Sequence, residues 1–178
     1  MISISPEDFG YTQYSKSKIT FPHPTVLTKK SQVITNGKWH LDKRGSLMEV
    51  YRAAWYEDGT GPVQQVYIST TEPGVVKAWH LHTKQTDRFV CVRGKVLVAT
   101  CKHSQSEVET VVLDAERGPT FVHIPPGVAH GWKALGDTES WIVNLCSHQY
   151  DGTDEYRRGA HDGPWEDIYF DWNENVDG

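Results

Sequence analysis

Short apolar runs rich in β-branched and aromatic residues recur along this chain, and turn-forming residues cut them at intervals typical of a sandwich or barrel. From Val33 onward the runs span roughly 46–54, 63–70, 75–81, 88–92, 95–102, 107–113, 120–124, 130–134 and 140–146. The breaks fall at Asn36-Gly37, Asp58-Gly59, Pro73-Gly74, Arg93-Gly94, Gly118-Pro119, Pro126-Gly127 and Gly136-Asp137. The run from Lys95 to Cys101 is almost wholly apolar, which predicts a strand covered on both faces. Helical signal is confined to Trp55-Tyr56-Glu57 and the segment after Tyr150, and no internal repeat is present. So many strands in one domain must hide their edges, so the pattern predicts an all-β, closed or nearly closed barrel or jelly roll. Residues 1–31 are polar, carry Pro6, Pro22 and Pro24, and lack periodicity, which predicts an N-terminal arm; the barrel and a C-terminal extension take 32–178.

Composition narrows this picture. A chain of 178 residues buries one good core and is short for two. Seven Trp and eight Tyr favour strands and flat ligand or subunit surfaces. Cys91, Cys101 and Cys146 are an odd number without CxxC spacing, set in apolar runs, and are expected as buried free thiols. A net charge of −5 argues against a nucleic-acid surface, while leaving room for a small anionic ligand held by a few local cations. No stretch approaches the roughly 20 apolar residues of a membrane span, and no signal peptide is recognisable, so a cytoplasmic protein is expected.

The candidate chemistry lies in two stretches. In the first, Gly74 leads into Trp79-His80-Leu81-His82, followed by Asp87 and Gly94. Residues two apart on a strand share a face, so His80 and His82 project together into the barrel while Trp79 and Leu81 project away. In the second, Pro125-Pro126-Gly127 precedes His130. The pair resembles the two cupin motifs, a glycine followed by His-x-His, an acid and a second glycine, then a Pro-x-Gly turn before a histidine. Three histidines and a carboxylate on neighbouring strands also form a conceivable ligand set for one divalent metal such as Zn, Fe or Mn, comprising His80, His82, Asp87 and His130.

A third stretch, Asp42-Lys43-Arg44-Gly45-Ser46-Leu47-Met48-Glu49, resembles the D-x-R-G-x-x-x-E signature of the dTDP-4-dehydrorhamnose 3,5-epimerases. Gln65, the run to His80 and the run to Trp132 follow in that family's order, and the tail from Asp167 to Trp172 is similar to the family's closing stretch. The resemblance implies a cupin-type jelly roll, a homodimer, and an isomerase acting on a nucleotide sugar without a cofactor. It implies Arg44 and Lys77 at the diphosphate and Glu49 and Gln65 at the base. His82 and His130 are expected beside the substrate as well, although His82 and Asp87 are both odd for the family and suit a metal cupin. His80 is implied as the base that removes a proton beside the sugar's 4-keto group, a task suited to neutral imidazole. The carboxylate that orients it is implied to come from the C-terminal part, with Asp167 and Asp171 as candidates.

Two positions depart from the family. Its enolate-steadying lysine falls at Asp87, and the tyrosine that returns a proton to carbon from the opposite face falls near Val143. Tyr150 or Tyr156 could replace that donor. The expectation is a nucleotide-sugar epimerase or isomerase of altered chemistry, with the metal-dependent cupin as the alternative and a non-catalytic sugar-binding protein as a third reading.

Overall fold

Thirteen strands and no helix make up the described residues of the computed structural model, which are 10–13, 33–36, 39–51, 61–103 and 107–174. In chain order the strands are Thr12–Gln13 (β1), Val33–Asn36 (β2), Trp39–Asp42 (β3), Gly45–Met48 (β4), Gln65–Thr71 (β5), Val76–Leu81 (β6) and Asp87–Arg93 (β7). Then come Lys95–Lys102 (β8), Glu109–Asp114 (β9), Thr120–Ile124 (β10), Val128–Leu135 (β11), Ser140–Cys146 (β12) and Tyr156–Arg157 (β13). One antiparallel sheet runs β1-β13-β6-β11-β8-β9, a second runs β2-β10-β7-β12-β5, and β3 with β4 forms a separate hairpin.

Three apolar clusters hold the layers together. Phe89, Val98, Val122, Val128, Trp132 and Ile142 come from the facing surfaces of the two sheets and fill the space between them. Trp79, Leu81, Leu97, Ala99 and Cys101 lie on the other face of the six-stranded sheet, where Trp165, Ile168, Phe170 and Trp172 of the C-terminal segment cover them. Val90, Phe121, Val143 and Leu145 form the third cluster on the outer face of the five-stranded sheet, packed by Met48, Val50 and Val63. The apolar run of β8 is thus explained: Val96 and Val98 point between the sheets, and Leu97, Ala99 and Cys101 point under the tail.

Two glycines allow the close approaches this requires. Gly94 turns β7 into β8 at φ +69°, where an added Cβ would stand 2.7 Å from Ser140 Oγ. Gly131 lets β11 close on β6, since its Cβ would lie 2.3 Å from that of Ala78.

The segment after Tyr150, expected as a possible helix, is instead a chain of turns with the two-residue β13 and a Trp165–Ile168 bridge. Its alternating aromatic residues serve as a lid on a sheet face, a role that needs no helical period. The other suggested helix, at Trp55-Tyr56-Glu57, and most of the arm over 1–31 lie outside the described residues. Of the arm, Tyr11 is buried against Trp165, and its hydroxyl donates to the Pro164 carbonyl. The three cysteines are buried and free, as expected. Burial pushes the Cys91 thiol up to about 11 and the Cys101 thiol up to about 12.

Candidate active site

Strand alternation decides which side chains meet between the sheets. On β6, Trp79 and Leu81 join the outer cluster and His80 faces a cavity of about 1210 Å³. Lys77 reaches the same cavity because a register shift against β11, with His130 opposite His80 and Trp132 opposite Lys77, breaks the alternation between them. On β5, Gln65, Tyr67 and Ser69 line the opposite wall, and Val66 and Ile68 face outward and are exposed. That volume exceeds the roughly 300–1,000 Å³ usual for small-molecule sites, so it suits a large ligand.

The His80 ring stands edge-on to both His130 and Trp132, with centroids 5.9 and 5.8 Å away. Burial first, then the neighbouring His130, His82 and Arg157, push its pKa down to about 3 against a partial opposing pull from Asp87. His80 is therefore neutral at physiological pH and able to accept a proton.

Behind it lies a second group of ionisable residues. His82, Asp87 and His130 bring one ligand atom each within 4.8 Å of one another. Asp87 Oδ2 sits 3.1 Å from His130 Nε2 and 3.5 Å from His82 Nε2. Each histidine's other nitrogen faces a backbone carbonyl, His82 Nδ1 at 2.8 Å from Asp154 O and His130 Nδ1 at 3.0 Å from Val128 O. Burial opposes ionisation of Asp87, but the two histidines and Asn144 outweigh it and hold the carboxyl well below the usual range. Asp154 is buried and accepts from the Thr83, Lys84 and Gln85 amides and the Thr83 hydroxyl, which fixes the turn between His82 and Asp87.

Cations gather at the mouth: Lys77, Lys84, Arg157 and Arg158 all line the cavity. Lys77 Nζ donates to Ser69 Oγ and the Thr70 carbonyl, Lys84 pairs with Asp151 and Arg157 with Glu155. Arg157 is the register partner of His80 across β13 and β6.

The expected site residues fall into three sets. His80, His82, Lys77, Gln65 and Tyr150 line the cavity, with Gln65 Oε1 accepting from the Tyr150 amide at 2.5 Å. His130 and Asp87 sit just behind them, buried. Arg44, Glu49 and Asp167 are not brought to it within this chain. Arg44 stands on the exposed β3–β4 turn in an ion pair with Asp42 at 2.7 Å, and Asp167 is exposed near Cys101. Tyr156 is fully buried in the outer cluster and has no access to the cavity.

Val143 also points away from the cavity, into the third cluster, so the inward position on β12 is Asn144. Asn144 is fully buried and is the register partner of Tyr67. Its Nδ2 donates to the Tyr67 hydroxyl at 2.8 Å and to Asp87 Oδ1 at 2.9 Å, and its Oδ1 accepts from the Arg88 amide. Sequence reasoning missed Tyr67, Asn144 and Arg157. The Arg157-Arg158 doublet was a usable signal for one of them, whereas the Tyr67–Asn144 pair joins residues far apart in sequence.

Two facing antiparallel sheets around a histidine-lined cavity define a cupin-type jelly roll. The model of the polysaccharide biosynthesis C-terminal domain family matches residues 40–156. A probable low-salt glycan biosynthesis epimerase of Haloferax volcanii is 37% identical over 146 residues, covering 78% of this chain and 91% of the relative. The dTDP-4-dehydrorhamnose 3,5-epimerase of Neisseria gonorrhoeae is 30% identical, covering 71% of this chain and 39% of the relative. Among solved structures, a 3'-monoepimerase from Streptomyces bikiniensis in complex with dTDP-quinovose superposes with a TM-score of 0.71 at 26% identity, covering 83% of this chain and 78% of that one. The chain thus belongs to the polysaccharide biosynthesis C-terminal domain family and is a divergent member of the dTDP-4-dehydrorhamnose 3,5-epimerase group of cupins. Its general reaction type is that of epimerases and isomerases.

Proposed function

We propose that this protein is a nucleotide-sugar epimerase or isomerase in which His80 removes a proton beside the 4-keto group of a dTDP-4-keto-6-deoxy-hexose or a related sugar nucleotide. The observation that carries this is His80, held neutral by burial and its charged neighbours, on the wall of a large cavity lined by Lys77, Lys84, Arg157 and Arg158 together with the carboxylates of Asp151, Asp154, Glu155 and Asp162. The cations suit a diphosphate, and Lys77 and Arg157 border His80 closely enough to place the sugar against it. The relative named for glycan biosynthesis and the neighbour in complex with dTDP-quinovose fit the same substrate class.

The direct test is proton NMR of a dTDP-4-keto-6-deoxy sugar incubated with the protein in deuterium oxide. Deuterium entering at C3 or C5 is the expected result. Failure to bind any nucleotide sugar sinks the proposal.

A second reading is favoured by one arrangement. His82 and His130 turn their Nε2 atoms toward Asp87 Oδ2, and the buried His130 Nε2 is out of line for a hydrogen bond to it. Histidines whose Nδ1 atoms face carbonyls while Nε2 atoms converge on a carboxylate fit a divalent metal such as Zn, Fe or Mn. His82, Asp87 and His130 would hold it, while His80, included in the sequence expectation, is not part of this three-residue group. Such an ion would supply Lewis-acid polarisation of a carbonyl or, if redox-active, oxygen chemistry. Elemental analysis of the purified protein, followed by thermal melts with and without chelator, decides the point; metal-free protein of full activity ends this reading.

A homodimer is part of the proposal, with the exposed Val66 and Ile68 of edge strand β5 as the contact face. Light scattering of the full chain tests it. A cytoplasmic location is proposed with it, to be checked by cell fractionation.

A further inference from the structure

We propose that Tyr67 is the group that returns a proton to carbon from the face opposite His80. This rests on the epimerase reading above. Inverting a carbon centre needs a base on one side and a proton donor on the other, and the two sheets supply two walls. His80 stands on the six-stranded wall, and Tyr67 stands on β5 in the five-stranded wall, both lining the same cavity.

The hydrogen bonds around Tyr67 fix which way its proton points. Asn144 Oδ1 accepts from the Arg88 amide, so the identity of the amide's two ends is set. The two Nδ2 hydrogens go to Asp87 Oδ1 and to the Tyr67 oxygen. The phenol oxygen is therefore an acceptor toward the barrel interior, and its own hydrogen is left for an acceptor elsewhere. The Cys146 thiol is within hydrogen-bonding reach of the Tyr67 hydroxyl, and Tyr67 also lines the cavity. Burial, with the Asp87 carboxylate behind it, holds the phenol above its ordinary value, so it carries its proton at neutral pH.

Tyr150, the other cavity-lining phenol, is 62% exposed, and its amide is tied to Gln65 at the mouth. Tyr67 is 39% exposed, but it stands on a strand and its hydroxyl is held by the fully buried Asn144 amide.

The step balances. His80 takes the proton from carbon, and the C–H electron pair becomes the enolate. The Tyr67 O–H bond breaks as a new C–H bond forms on the opposite face. The phenolate left behind accepts the Asn144 N–H, and solvent entering the cavity reprotonates Tyr67 and relieves His80 of its proton.

The experiment uses the full chain with a dTDP-4-keto-6-deoxy sugar in deuterium oxide, followed by proton NMR for both deuterium content and configuration. In Tyr67→Phe, deuterium still enters at the carbon His80 deprotonates, while the inverted product falls at least about 100-fold relative to exchange, within the range for loss of one acid–base group. His80→Asn loses both signals. Melting temperature and substrate affinity are measured on Tyr67→Phe to establish that it is folded and loaded. Equal loss of exchange and inversion in a folded, loaded Tyr67→Phe overturns the proposal, as does unchanged inversion. The proposal is also overturned if Tyr150→Phe, and not Tyr67→Phe, separates the two signals. A wild-type protein with neither exchange nor inversion on any nucleotide-linked 4-ketosugar refutes the underlying epimerase reading instead.

Discussion

The two walls of the cavity are built from different chemistry. The six-stranded wall presents His80, Lys77 and Arg157, groups that accept protons or attract anions. The five-stranded wall presents Gln65, Tyr67 and Ser69, which are neutral at physiological pH. A substrate between them meets charge on one side and directed hydrogen bonds on the other. Such a division suits a reaction that takes a proton on one face and must discriminate the outcome on the other.

The comparison breaks most decisively at His80. His80→Asn should lower deuterium exchange into substrate by about 10²–10⁴-fold, the usual worth of a positioned general base. Binding of the nucleotide sugar, followed by calorimetry, should change little, since the cations at the mouth remain. Retained exchange would move the base to another residue and undo the assignment of the charged wall.

Asp87 joins the walls, because it faces both histidines and also accepts from Asn144 and Gln85. Asp87→Ala takes an acceptor from the buried Asn144 amide and the half-buried Gln85, and should cost about 1–3 kcal/mol in urea unfolding. Inversion in this variant should fall further than exchange, because Asn144 then loses one of the bonds that orient it toward Tyr67. A stability equal to wild type would show that the carboxylate is not the anchor of this network.

Acid tests the same wall through stability. The folded-state pKa of His80 is depressed to about 3, below the ordinary histidine value near 6.5. Its contribution is therefore fully present above about pH 6.5 and is lost as pH falls toward about 3, because the unfolded chain takes up the proton first. Asp87, also depressed, contributes above the ordinary carboxylate range and loses that contribution below it. Between pH 6.5 and 5, urea midpoints should fall by the equivalent of about 1–2 kcal/mol. His80→Asn should flatten that limb while keeping the steeper loss below about pH 4 that belongs to Asp87. An unaltered limb would mean that His80 is protonated in the folded state.

The two walls differed equally in how legible they were. His80 near the end of β6 and His82 just beyond it are two apart, so spacing placed them, while the family resemblance placed Lys77 and the turn before His130 gave the neighbouring strand. The apolar run of β8 announced coverage on both faces, and the sheets confirm it. The other wall is assembled by cross-strand pairing, Tyr67 with Asn144 at a sequence separation of 77, and no local pattern encodes such a contact. The tail was misread for a related reason. Ile168, Phe170 and Trp172 alternate with less buried positions as they cover the sheet face, a period of two carried by turns without a paired strand, and so not a helical pattern.

Register supplies the finest test of the comparison. A one-residue slip on β12 exchanges every inward side chain for an outward one, so Val143 and Asn144 cannot both face the cavity. Val143 packs with Val90, Phe121 and Leu145 outside the barrel, and Asn144 holds Tyr67 and Asp87 inside. Val143→Ala should therefore leave kcat/KM and the ratio of inversion to exchange unchanged. Its cost is confined to stability, roughly 1–2 kcal/mol at about 0.8 kcal/mol for each buried methyl-sized group removed. Asn144→Ala, one residue on, should instead lower inversion relative to exchange by releasing the Tyr67 hydroxyl. If Val143→Ala changed the inversion-to-exchange ratio and Asn144→Ala did not, β12 would present its other face to the substrate, and the neutral wall would have to be rebuilt around position 143.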